Sequence, residues 1–166
     1  MEWAALISWI ATAGGGFILL AIWLARGGMR QKGEAGARIR PPLILSHFLL
    51  AAGGLVVWIV YLVNDKKALA WVAFGILAVV ALLGWTMFAI WWQRRRRGRR
   101  ADTTVADTVG GGGTTAESVP AEQRFPVSIV ALHGLLAVTT VVLVLLTALD
   151  IGTGEGGEYS LIAFLL

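Results

Sequence analysis

The chain has 166 residues, of which 57% are hydrophobic and only 14% charged, with a net charge of +4 and eight tryptophans. Soluble domains are about a quarter charged, so this much apolar surface needs a bilayer to cover it. There is no cysteine, which excludes disulfides, iron–sulfur clusters, covalent c-type haem and cysteine-ligated zinc. The basic residues flank apolar stretches, the pattern of membrane topology, and nucleic-acid binding is not expected.

An apolar run of about 20 residues crosses the hydrocarbon as a helix, because lipid leaves no other way to satisfy backbone polar groups. Four runs qualify: Trp3 to Ala25, Pro42 to Val63, Ala68 to Trp92, and Pro126 to Leu149. None contains Asp, Glu, Lys or Arg. Pro41, Pro42 and Pro126 stand at helix starts, where a missing N–H is harmless. The expected fold is an all-α integral membrane four-helix bundle.

All but Lys66 and Lys67 of the 14 basic residues lie in the first and third loops. The positive-inside rule makes those loops cytoplasmic and places both termini outside. The expected location is the cytoplasmic (inner) membrane of a bacterium. No basic segment precedes the first span, so a cleaved signal peptide is not expected. Trp3, Trp58, Tyr61 and Trp71 are predicted near the outer interface, and Trp23, Trp91 and Trp92 near the inner one. Trp9 and Trp85 lie deeper and are predicted to pack between helices. Residues 101–124, with Gly110 to Gly113, read as a disordered cytoplasmic linker, and Tyr159 to Leu166 as an apolar outer tail too short to span. The Arg94–Arg100 cluster reads as a topology anchor that also suits anionic lipid head groups.

The first span laid on the third at a shift of 68 matches Trp3 with Trp71, Ala5 with Ala73, Ala13 with Ala81 and Gly16 with Gly84. It also matches Ala21-Ile22-Trp23 with Ala89-Ile90-Trp91, and Arg26 with Arg94. A shift of 86 lays His47-Phe48-Leu49-Leu50-Ala51 on His133-Gly134-Leu135-Leu136-Ala137. Two copies of one helical hairpin account for both matches.

The two histidines of the chain coincide in that alignment. Each lies roughly 8–11 Å inside the cytoplasmic edge, on helices that run the same way and are diagonal in an up-down-up-down bundle. Ionisable groups inside a membrane are functional candidates by default. Three uses stand open: axial ligation of haem iron, a proton or metal-ion relay, and hydrogen bonding between helices. Ala51 and Gly54 follow His47 at one and two turns, and Ala137 and Thr140 follow His133, so each histidine face has small residues beside it. Arg38, Arg40, Arg94 and Arg124 are placed to pair with haem propionates.

On His47 and His133, and on its four spans, the chain resembles the four-helix membrane cytochromes b, in which paired histidines from different helices hold haem b. It is also similar to four-span membrane proteins of actinobacteria. The resemblance implies His47 and His133 as ligands and haem b as cofactor. Two-haem members have four such histidines, so this chain is expected to hold one haem. One haem near the inner face does not make a complete transmembrane conduit.

No nucleophile–base pair, metalloprotease motif or phosphate loop is present, so a hydrolase is not expected. The expectation is electron transfer near the cytoplasmic face, for a membrane oxidoreductase partner. The alternatives are a non-enzymatic structural or assembly subunit of a membrane complex, and a small permease with a histidine proton relay.

Overall fold

The computed structural model describes residues 1–29, 39–106 and 125–151, with 98–106 as backbone alone. Arg38, Arg124, the linker from 107 to 124 and the tail from 159 to 166 lie outside the described residues. Four helices follow in order: α1 (Glu2–Ala25), α2 (Pro41–Asn64), α3 (Lys67–Ala106) and α4 (Val127–Ala148). All four are long and apolar enough to cross a membrane, and the protein is a multi-pass membrane helix bundle. The helix of α3 runs on beyond its apolar span through the arginine cluster, residues with good helix propensity, as far as Ala106. The backbone of 101–106 is therefore the end of α3.

Each boundary has a local cause. Pro41 and Pro42 open α2 behind an extended Arg40. Gly27, at φ +74°, closes α1. There the Gly28 N–H bonds the Trp23 carbonyl at 2.9 Å and the Gly27 N–H that of Leu24 at 3.0 Å. This is a Schellman cap, whose left-handed residue glycine adopts without strain. Asp150, at φ 58°, ends α4 the same way, with Ile151 N–H on the Leu146 carbonyl.

α2 packs most closely on α3, and α1 on α4; the α3–α4 and α1–α2 seams are looser. No close backbone contact joins α1 to α3 or α2 to α4, so these pairs lie on the diagonals of the bundle. The densest core fills the half that carries Glu2, away from the arginine cluster: Ala5, Trp9, Trp58, Tyr61, Ala73 and Val144 among others. Trp9 and Trp58 rings lie 6.4 Å apart, and Trp58 and Tyr61 rings 4.9 Å apart. At that end Tyr61 donates to Glu2 Oε1 at 2.6 Å, and Lys67 pairs with Asp150. Trp9 is 2% exposed, as its depth predicts, but Trp85 is 61% exposed. Gly84 takes the inward position on α3, and the next residue is turned about 100° away, so Trp85 faces outward rather than between helices. Phe17, Leu82, Leu132 and Leu135 are exposed likewise, as side chains against lipid must be.

Candidate functional site

The bundle brings both histidines to one level. The ring centroids of His47 and His133 are 6.4 Å apart and their planes meet at 67°. Each ring is anchored on the helix its own helix packs against. His47 Nδ1 lies 3.0 Å from the Val80 carbonyl oxygen of α3. His133 Nδ1 lies 3.0 Å from the Thr12 carbonyl oxygen of α1. A carbonyl only accepts, so Nδ1 is the protonated nitrogen in both rings. The lone pair then resides on each Nε2, the tautomer that second-shell carbonyls impose on metal-bound histidines.

Glycines press on both rings. A Cβ at Gly16 would stand 3.0 Å from His133 Cε1, and one at Gly84 would stand 3.3 Å from His47 Cε1. Any larger residue would push the imidazoles. Gly16 sits midway between Trp9 and Trp23 in steps of seven, and Gly84 midway between Leu77 and Trp91. Steps of seven share a helix face. The bulky members of both rows are buried, so a small-residue level lies between two bulky ones, and the histidines occupy it.

Ala51 and Ala137 are half-buried, one turn from their histidines. The next pair is taken up by packing. Gly54 receives the Trp9 ring and Ile76, each 3.0 Å from where its Cβ would be. Thr140 is buried against α1, with its hydroxyl 2.8 Å from Ser8 Oγ and 3.1 Å from Thr12 Oγ1. It also donates to the Leu136 carbonyl at 2.8 Å, and Thr12 Oγ1 donates to the Ser8 carbonyl. These hydroxyls are mutually satisfied and join α1 to α4. Arg40 is exposed at the basic end and Arg94 is half-buried there. Helices α1 and α2 run unbroken through Gly14–Gly16 and Gly53–Gly54.

The Val80 and Thr12 carbonyls and the two ring-facing glycines were not singled out from the sequence as site residues. One signal for the glycines existed: Gly16 and Gly84 match in the shift of 68. Nothing marked the carbonyls, because a carbonyl's role depends on what packs against it.

The ring centroids stand 6.4 Å apart, a separation at which both imidazoles could reach one bound metal. A bare ion such as zinc needs four donors, and the described residues hold no cluster of three or more His, Cys, Asp or Glu. A macrocycle that brings its own nitrogens would need only two further ligands, and His47 and His133 are the residues that would supply them. No protein family, curated protein or solved structure matches the chain.

Proposed function

We propose that this chain is a small membrane haem protein, with one b-type haem held by Nε2 of His47 and Nε2 of His133. The observation that carries the reading is the pair of imidazoles brought to one level, 6.4 Å between centroids, each tethered through Nδ1 to a backbone carbonyl. The haem would supply a one-electron couple. Two histidine ligands complete the iron's coordination and leave no position for substrate, which favours electron transfer over catalysis. The carbonyl tethers hold the tautomer and the orientation of each ring. The apolar helices around the rings keep water away, which tunes the potential.

The site's placement follows from topology. With the basic loops cytoplasmic in a bacterial inner membrane, the histidines lie nearer the cytoplasmic side. The role is to pass or store an electron there for a membrane oxidoreductase. The arginine cluster suits anionic lipids, with Arg95 over the Trp91 ring at 5.6 Å and Arg96 over the Trp92 ring at 5.2 Å.

Duplication of one hairpin, about an axis along the membrane normal, supports a single cofactor between the copies. The shift of 68 carries Thr12 to Val80 and Gly16 to Gly84, the residues touching the two rings. It carries buried Ala5, Trp9 and Trp23 to buried Ala73, Leu77 and Trp91. The shift of 86 carries buried Gly54, Trp58 and Tyr61 to buried Thr140, Val144 and Thr147.

One observation favours a second reading. Each histidine already makes a hydrogen bond between helices, which is what a structural subunit without cofactor needs. His→Asn variants separate the two, since the Asn amide keeps a donor near the Nδ1 position and offers iron no ring nitrogen. After haem-replete expression the wild type should show a Soret band, and His47→Asn and His133→Asn should fold without one. A well-folded wild type with no Soret band refutes the haem reading.

A further inference from the structure

We propose that Trp91, at the basic end of the bundle, donates its indole N–H to an anionic oxygen of the bound macrocycle, a propionate carboxylate. This rests on the haem reading and extends it to the cofactor's charged edge.

Trp91 is 3% exposed, and its Nε1 is buried with no hydrogen-bond partner among the described residues. A buried donor left unmade bears its full desolvation penalty. Native proteins seldom carry one without a reason such as a ligand that takes the bond. Trp58 Nε1 is also buried and unpartnered among the described residues, but Trp58 lies in the densest core at the far end, whereas Trp91 packs on Phe88 and Trp92 at the basic end. Trp91 sits elsewhere, in the row that faces the histidines. It lies seven residues beyond Gly84, the glycine against His47, and hence on the same face about 10 Å nearer the basic end.

The electrostatics at that level have one sign. The contacts of His47 with Gly84 and of Gly54 with Ile76 set the antiparallel register of α2 on α3. Seven residues further along each helix, the same register brings Arg40 to the level of Trp91. Arg95 stacks over the Trp91 ring, with its Nε buried and without a hydrogen-bond partner among the described residues. The acids with described side chains, Glu2, Asp65 and Asp150, all lie at the other end. Arg40 and Arg95 stand at the level of Trp91, and the carboxylates with described side chains lie at the far end. The propionates are the only charged groups of haem b, and a charge-assisted bond to them is the strong kind. A phospholipid phosphate presents the same anionic oxygen, so the experiment must separate the two sources.

The test uses the full chain in detergent, titrated with haemin and with haemin dimethyl ester, whose carboxylates are blocked. Trp91→Phe keeps an aromatic ring but removes the N–H together with the pyrrole ring, so the diester arm controls for the lost bulk. The expected result is a roughly tenfold weaker affinity of Trp91→Phe for haemin, with affinity for the diester unchanged. Arg40→Gln should show the same selective loss, several-fold, and guards against a packing effect peculiar to position 91. Equal affinities of wild type and Trp91→Phe for haemin overturn the proposal while leaving the haem reading intact. So does an equal loss for haemin and diester. A wild type that binds neither form overturns both. Native mass spectrometry of retained phosphatidylglycerol supplies the lipid arm. Lipid loss in Trp91→Phe with haemin affinity unchanged assigns the donor to a phosphate and overturns the propionate assignment.

Discussion

His133 and Thr12 are joined across 121 residues of sequence by a 3.0 Å contact from the imidazole Nδ1 to the backbone oxygen. His47 and Val80 repeat it at 3.0 Å. These tethers fix how far apart the rings stand and how they are turned. The 67° between the planes is therefore a property of the protein frame. Axial imidazoles turned that far from parallel give ferric haem a highly anisotropic low-spin EPR signal. Under the proposed haem ligation that signal is expected from the oxidised, haem-loaded protein, and the ordinary rhombic spectrum of near-parallel rings would show that the rings are not held as described.

Gly16 and Gly84 should be intolerant of side chains, and unequally so. The Cβ of Gly16→Ala would stand 3.0 Å from His133 Cε1, and that of Gly84→Ala 3.3 Å from His47 Cε1. Overpacking of this kind costs about 1–3 kcal/mol. Thermal melts in detergent should fall by several degrees for Gly16→Ala and by less for Gly84→Ala. Any Soret band should shift or weaken in the same order. Equal, unchanged melts would show that the rings move aside freely.

Gly28 should be as demanding, for a different reason. A Cβ there would lie 2.1 Å from the Trp23 ring, which is 1% exposed and has nowhere to go. Gly28→Ala should displace Trp23 or open the α1 cap, at a cost of about 1–3 kcal/mol. Trp fluorescence should report the displacement by a shift in emission maximum, and a variant with wild-type emission and melting would contradict it.

Thr140→Val removes the hydroxyl shared by Ser8 and Thr12 while keeping the side-chain volume. Interhelical hydrogen bonds in membranes contribute about 0.6 kcal/mol on average and up to roughly 2, so a modest fall in melting temperature is expected. Haem affinity should barely change, because Thr140 serves the α1–α4 seam. A loss of cofactor with the melt unaltered would place Thr140 at the site instead.

Orientation can be read directly, because the natural chain has no cysteine to remove. Asp65→Cys should react with an impermeant maleimide added to intact cells. Arg96→Cys should react only after the membrane is opened. The reverse pattern would invert the topology and put the histidines nearer the outer face.

The apolar runs, the prolines at their starts and the arginine loops determined four spans, though not how far α3 continues beyond its apolar run, because a long apolar segment satisfies its own backbone in a bilayer only as a helix with its charges at the ends. The sequence by itself also put the two histidines at one depth, since helical rise converts position into height. It did not determine which way a residue faces. These helices are apolar all round, and lipid and core accept the same side chains. Trp9 and Trp85 therefore read alike, yet one fills the core against Gly54 and the other faces outward. Only the tertiary structure decided that α1 pairs with α4 and α2 with α3. From that pairing come the Thr12 and Val80 tethers, the glycines against the rings, and Thr140 as a seam residue. Each depends on what a neighbouring helix presents, which is settled by close packing and not by hydropathy.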